Sequence, residues 1–144
     1  MLVSQILKTK SDDGVITVPP GTTVAQLAEM LSSRRIGAVV ISRDGKTVDG
    51  IVSERDVVRE LGRRGPVCLG DTVETIMTAR VTTCARNDRA DDVLQRMTDG
   101  RFRHLPVIEA GQMVGLISIG DVVKARLSEL SMEKDALEGM IKGF

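Results

Sequence analysis

Two short segments hold the residues whose types and spacing could do chemistry: Ser53-Glu54-Arg55-Asp56 and Ser118-Ile119-Gly120-Asp121. In each, a hydroxyl stands three residues ahead of a carboxylate. Each follows a glycine and two apolar residues, Gly50-Ile51-Val52 and Gly115-Leu116-Ile117. This pattern can cap a helix, with Ser at the cap and Asp reaching back to the cap amide. It can also present oxygen acceptors to sugar hydroxyls, beside a helix end whose free N–H groups and positive dipole suit phosphate. The two roles are compatible. Gly50 and Gly115 suit either a turn or the close approach of a ligand.

Other reactive chemistry is missing. The sequence contains no paired nucleophile and base, no metal-ligand spacing, no P-loop and no dinucleotide glycine fingerprint, so no catalytic residue, catalytic cofactor or metal is expected. Cys68 and Cys84 have neither metal nor redox spacing and read as reduced core or near-core residues. The lone histidine, His104, has no carboxylate or thiol cluster with which to build a metal site. Twenty basic residues balance twenty acidic ones, which argues against a nucleic-acid or membrane-surface partner. No Trp, no Tyr and only two Phe leave no platform for stacking bases. No apolar run approaches the roughly 20 residues that span a bilayer, and the first residues do not resemble a signal peptide. A cytoplasmic protein is expected.

The elements that must position these residues are duplicated. Gly50 to Val58 and Gly115 to Val123 share five of nine residues at an offset of 65. Upstream the offset is 66, aligning Val39-Val40-Ile41 with Leu105-Pro106-Val107 and Thr17 with Thr83. The single-residue difference falls in a turn, Asp44-Gly45 against Ala110-Gly111. A further match, Val3 to Leu7 with Val73 to Met77, precedes each copy. Each repeat reads as strand, helix, strand, strand, helix. In the first, Val15 to Val18 is a β-branched run stopped by Pro19-Pro20-Gly21. Thr22 or Thr23 caps a helix bearing Val24, Leu27, Ala28 and Leu31. Ala38 to Ile41 is a buried strand, Asp44-Gly45 a hairpin turn into Val48 to Val52, and Ser53 opens a helix. In the second, the elements are Val81-Thr82-Thr83, a helix with Ala90, Val93, Leu94 and Met97, Leu105 to Ile108, Met113 to Ile117, and a helix from Ser118.

The chain therefore divides into residues 1–65, first repeat with an N-terminal segment; 66–127, second repeat; and 128–144, a helical extension. Val123, Leu127, Leu130, Leu137 and Ile141 line one side of that last helix, interrupted by Lys134. The stripe either packs back on its own module or meets a second copy.

Gly-apolar-apolar-Ser-x-x-Asp, occurring twice in this element order, resembles the nucleotide-binding signature of cystathionine-beta-synthase-type (CBS) repeats, over roughly residues 3–127. The resemblance implies an α/β (α+β) fold of two β-α-β-β-α repeats packed with pseudo-two-fold symmetry into one module. It implies that Asp56 and Asp121 accept hydrogen bonds from ribose and that Ser53 and Ser118 face sugar or phosphate. Thr17 and Thr83 would lie at the nucleoside end of their own repeat's site. Arg103-His104, facing the opposite repeat, would join Arg55 at the phosphates of the Asp56 site, whereas Gly37-Ala38 and Gly120 stand at the matching places of the Asp121 site. The implied function is a regulatory sensor of AMP, ADP, ATP or NAD(H) without catalysis, a homodimer acting on an unknown protein partner. An S-adenosylmethionine-binding pair, or a ligand-independent dimerisation or partner-regulating module, is the alternative.

Overall fold

The structure, a computed structural model, describes residues 1–10 and 15–142. Its elements in chain order are α1 (Val3–Thr9), β1 (Thr17–Val18), α2 (Val24–Arg34), β2 (Ala38–Ile41), β3 (Gly50–Ser53) and α3 (Glu54–Arg64). Two 3-10 turns, Gly65–Gly70 and Val73–Thr75, lead to α4 (Ala90–Gly100), β4 (His104–Glu109), β5 (Gln112–Ser118) and α5 (Ile119–Ile141). β1 runs parallel to β2 with Thr17 opposite Val40, and β2 pairs antiparallel with β3. β4 and β5 form a separate antiparallel pair.

Local chemistry explains the boundaries. Thr23 caps α2 reciprocally with Gln26, at 3.1 and 3.0 Å. The helix then buries Val24, Leu27 and Leu31, one side of its surface. α2 and α4 end at twin residues, Arg35 (φ 54) and Arg101 (φ 56), both left-handed as helix termini often are.

Two expected elements differ. The run Val81-Thr82-Thr83 is not a strand; pairing shifts to the single residue Cys84, whose N–H and C=O bond Pro106 and Ile108 at 3.0 and 2.9 Å. It stops there because the chain turns at once: the Ala85 amide donates to the Asp88 carboxylate at 2.8 Å and the Asp88 amide returns to the Ala85 carbonyl at 3.1 Å. The Asp44-Gly45 corner is likewise no tight hairpin. Residues 42–49 form a wider loop in which Asp44 accepts from the Lys46 and Thr47 amides at 2.8 and 2.7 Å. Ala110 and Gly111, both at positive φ, make the tight turn of the second repeat.

The two cores exchange their leading segments. Val3 and Ile6 of α1 pack with Val93, Met97, Leu105 and Ile117 of the second repeat. Val73 and Ile76 pack with Val24, Leu27, Val39 and Val52 of the first. Matching backbone bridges fasten each exchange, Leu2 to Arg89 and Thr23 to Thr72. This exchange accounts for Gly50 and Gly115. A Cβ at Gly50 would run into Met77 Sδ, and one at Gly115 would come within 2.7 Å of Leu7 Cδ2. Side-chain packing, neither a turn nor a ligand, fills the space that these glycines leave.

α5 buries only Val122 and Ala125. Leu127, Leu130, Leu137 and Ile141 are exposed, so the stripe does not pack back on its own module. No helix among the described residues is long and apolar enough to cross a membrane.

Gly50→Ala is expected to destabilise the fold by about 1–3 kcal/mol through overpacking against Met77. Gly62→Ala, where a Cβ meets nothing within 4 Å on α3, should instead stabilise by about 0.5–1 kcal/mol. Urea unfolding midpoints check both; a Gly50→Ala midpoint at or above wild type would show that Met77 yields freely.

Candidate functional site

A first cleft forms where β3 passes into α3. Ser53 caps the helix, and Asp56 Oδ2 accepts from the Ser53 N–H at 2.8 Å and from its hydroxyl at 3.1 Å. Arg59, one turn on, reaches Asp56 Oδ1 at 2.5 Å. The α4–β4 corner of the second repeat supplies the opposite wall: Arg101, Phe102, Arg103 and His104. Thr78, Arg80, Val81 and Thr82 close a third side around about 290 Å³ of space. Arg55, Arg59, Arg80, Arg101 and Arg103 thus face a volume whose carboxylates, among the described residues, are Glu54 and Asp56. Such a surplus of guanidinium groups beside an exposed helix N-terminus can attract a multiply charged anion.

The twin cleft lies at the start of α5. Asp121 Oδ2 accepts from the Ser118 N–H at 2.9 Å, and the Asp121 N–H donates back to Ser118 Oγ at 3.1 Å. Here Lys10, just past α1, adds an ammonium 2.9 Å from Asp121 Oδ2 and 2.7 Å from the Leu116 carbonyl. Leu7, Val15, Ile16, Ile36 and Val114 make the rest of this roughly 400 Å³ cleft apolar. Burial pushes the Asp121 carboxyl up, but the Ser118 amide and the Lys10 ammonium outweigh it and hold the group below its ordinary range.

His104 stands between the clefts and lines both. Its ring packs on Gly37, where a Cβ would lie 3.2 Å from Cε1. Burial lowers the imidazole below its usual value, with Lys10 and Arg103 adding to the effect and Glu54 and Asp121 opposing it. The ring is neutral near pH 7.

The fold brings Ser53, Arg55, Asp56, Arg103 and His104 together in the first cleft, and Ser118 and Asp121 in the second. Thr17 and Thr83 line neither. The residues just ahead of them do, and on the opposite side from expectation: Ile16 lines the Asp121 cleft, and Val81 and Thr82 line the Asp56 cleft. The cause is the segment exchange, which delivers each leading stretch to the other repeat, while neighbouring residues of an extended chain face opposite ways.

Sequence reasoning missed Lys10, Arg59, Arg80, Arg101 and Phe102. A signal for two of them existed. The offset of 70 that aligns Val3 with Val73 also aligns Lys10 with Arg80, and each enters the cleft of the repeat its segment joins. Among the described residues no group of His, Cys, Asp or Glu is arranged to hold a metal ion.

Comparison with known proteins agrees with this architecture. The CBS domain family model matches residues 3–63 and again 73–128. The Arabidopsis thaliana "CBS domain-containing protein CBSX3, mitochondrial" is 31% identical, over 98% of this chain and 72% of its own length. The CBS-domain containing protein ATU1752 from Agrobacterium tumefaciens superposes with a TM-score of 0.83 at 42% identity, covering 88% of this chain and 99% of that one. The CBS domain protein PAE2072 from Pyrobaculum aerophilum, solved in complex with AMP, gives 0.77 at 27% identity, covering 92% and 99%. The chain belongs to the CBS domain family, as a tandem pair of repeats with an α+β fold.

A half-buried, neutral His104 makes stability depend on pH. The unfolded chain takes up this proton near pH 6.5 and the folded protein only at lower pH. Stability from this source is therefore complete above that value and is lost as pH falls through it. Thermal unfolding between pH 7.5 and 5 should show a declining midpoint that His104→Gln flattens; an equally steep decline in the variant would remove His104 as its cause.

Proposed function

We propose that this CBS pair is a regulatory module that binds an adenine nucleotide in the Asp56 cleft and catalyses no reaction itself. One observation carries the reading: five arginines from both repeats converge on a cleft whose floor is a helix N-terminus capped by Ser53 and Asp56. By resemblance to the family, Asp56 accepts from the ribose hydroxyls and Ser53 faces sugar or phosphate. Arg55 and Arg103 take the phosphates, with Arg59, Arg80 and Arg101 within the same space, and the neutral imidazole of His104 can donate one further hydrogen bond. The AMP complex of PAE2072 supports an adenosyl ligand of this kind. AMP, ADP, ATP and NAD(H) all present the adenosine-phosphate group that this arrangement would read.

Among the described residues the Asp121 cleft has no comparable surplus of cations. In this reading Asp121 and Ser118 bind weakly or accept a less charged adenosyl group. Output passes through a homodimer and a regulated protein partner. The exposed residues Val123, Leu127, Leu130, Leu137 and Ile141 follow an alternating four-three spacing, broken only by Lys134, and such a seam suits a second helix of the same kind. The two buried free thiols, Cys68 and Cys84, fit a reducing compartment such as the cytoplasm.

Calorimetric titration tests the ligand assignment. Asp56→Asn should weaken AMP about tenfold or more, the ~1.4 kcal/mol scale of a charge-assisted hydrogen bond. Arg103→Glu should weaken ATP more than adenosine. Undiminished AMP affinity in Asp56→Asn would sink the assignment. Sedimentation tests the assembly: wild type should be dimeric and the Leu130→Glu/Leu137→Glu double variant monomeric, and a monomeric wild type at tens of micromolar would refute the seam.

A further inference from the structure

In the first repeat the outward carbonyl of Ile51 on β3 is taken by the Thr78 amide at 2.9 Å. Its twin, 65 residues on, is Leu116 of β5, and there the partner is the Lys10 side chain at 2.7 Å. The same ammonium sits 2.9 Å from Asp121 Oδ2, and both members of this pair are only 25% exposed. Lys10 starts at the end of α1 and spans the cleft floor to reach α5. It thereby engages two acceptors of a pocket that is otherwise mostly apolar. Lys10 and Asp121 also cancel in charge, and among the described residues they are the groups of full charge that line the cleft when His104 is neutral. The Asp56 cleft offers a contrast: its twin cation, Arg80, lines the wall while Asp56 pairs with Arg59 of its own helix.

We infer that Lys10 is an intramolecular occupant of the second cleft, holding Asp121 and the Leu116 carbonyl against a nucleoside, so that the module carries a single nucleotide. The inference deepens the reading above and rests on it for the role of Asp121 toward ribose. A nucleoside entering this cleft must displace a charge-assisted hydrogen bond and a partly buried ion pair. It regains the carboxylate but not the cation's partners, which lowers its affinity about 10- to 100-fold. Lys10 is thus the residue that makes the two clefts unequal, and removing it should open the second.

The probes are adenosine and AMP, titrated into the full chain by calorimetry. Wild type should bind one AMP per chain, lost in Asp56→Asn. Lys10→Met and Lys10→Gln, each checked for an unchanged unfolding cooperativity, should gain a second equivalent of adenosine. That gain should vanish when Asp121→Asn is added, and Lys10→Arg should behave as wild type. Two equivalents in wild type, or no Asp121-dependent gain in either Lys10 variant, would overturn the inference. Failure of wild type to bind AMP, with the gain still seen in Lys10→Met, would count against the Asp56 reading and leave Lys10 standing.

Discussion

Everything in this molecule depends on the exchange of leading segments between the repeats. Val3 and Ile6 complete the second core, and Val73 and Ile76 complete the first. A repeat of about 60 residues buries too little apolar surface to be secure alone. Here each copy lends the other part of what it lacks. Because the lent segments are sequence twins fastened by twin bridges, the two halves close together. The glycines follow from the same constraint, since Met77 and Leu7 lie where a side chain at Gly50 or Gly115 would have to stand.

The clefts are products of that closure. Each is walled by the helix start of one repeat, the left-handed corner of the other and the stretch that follows an exchanged segment. A molecule lodged in either touches both halves at once, so its binding energy bears on their relative placement, which is what a sensor requires. Symmetry sets where the clefts are; the residues at twin positions set what they prefer. Arg103 faces one cleft where Gly37 faces the other, and Arg55 answers to Gly120. Among the described residues the result is a strongly basic cleft beside one whose charges balance.

Much of this was legible in the sequence. The duplication follows from the offsets of 65 and 66, the helix starts at Ser53 and Ser118 from the Ser-x-x-Asp spacing, and the placing of Arg103 and His104 opposite Asp56 from the resemblance to CBS repeats. Periodicity could not reveal the exchange, because a short apolar segment such as Val3 to Leu7 carries no mark of which core it enters. That one ambiguity misplaced Thr17 and Thr83 and hid Lys10 and Arg80. At Val81 to Thr83 the β-branched residues alone did not decide the outcome: pairing shrinks to Cys84, and the chain turns straight afterwards between Ala85 and Asp88. The fate of the α5 stripe was undecidable from spacing alone, since apolar residues at helical intervals look the same whether covered or exposed.

The loop of residues 42–49 is where the copies differ in length, and it does not stay in its own half. The Lys46 carbonyl accepts from the Met113 N–H of β5 at 2.8 Å. The longer loop of one copy thus reaches the sheet edge of the other. A duplicated gene whose halves were still equivalent could fall back to a single repeat assembling as a symmetric pair. This strap joins unlike surfaces, which a symmetric pair of either half could not reproduce. The loop therefore acts as an asymmetric clasp, tying the two halves in one order along the chain.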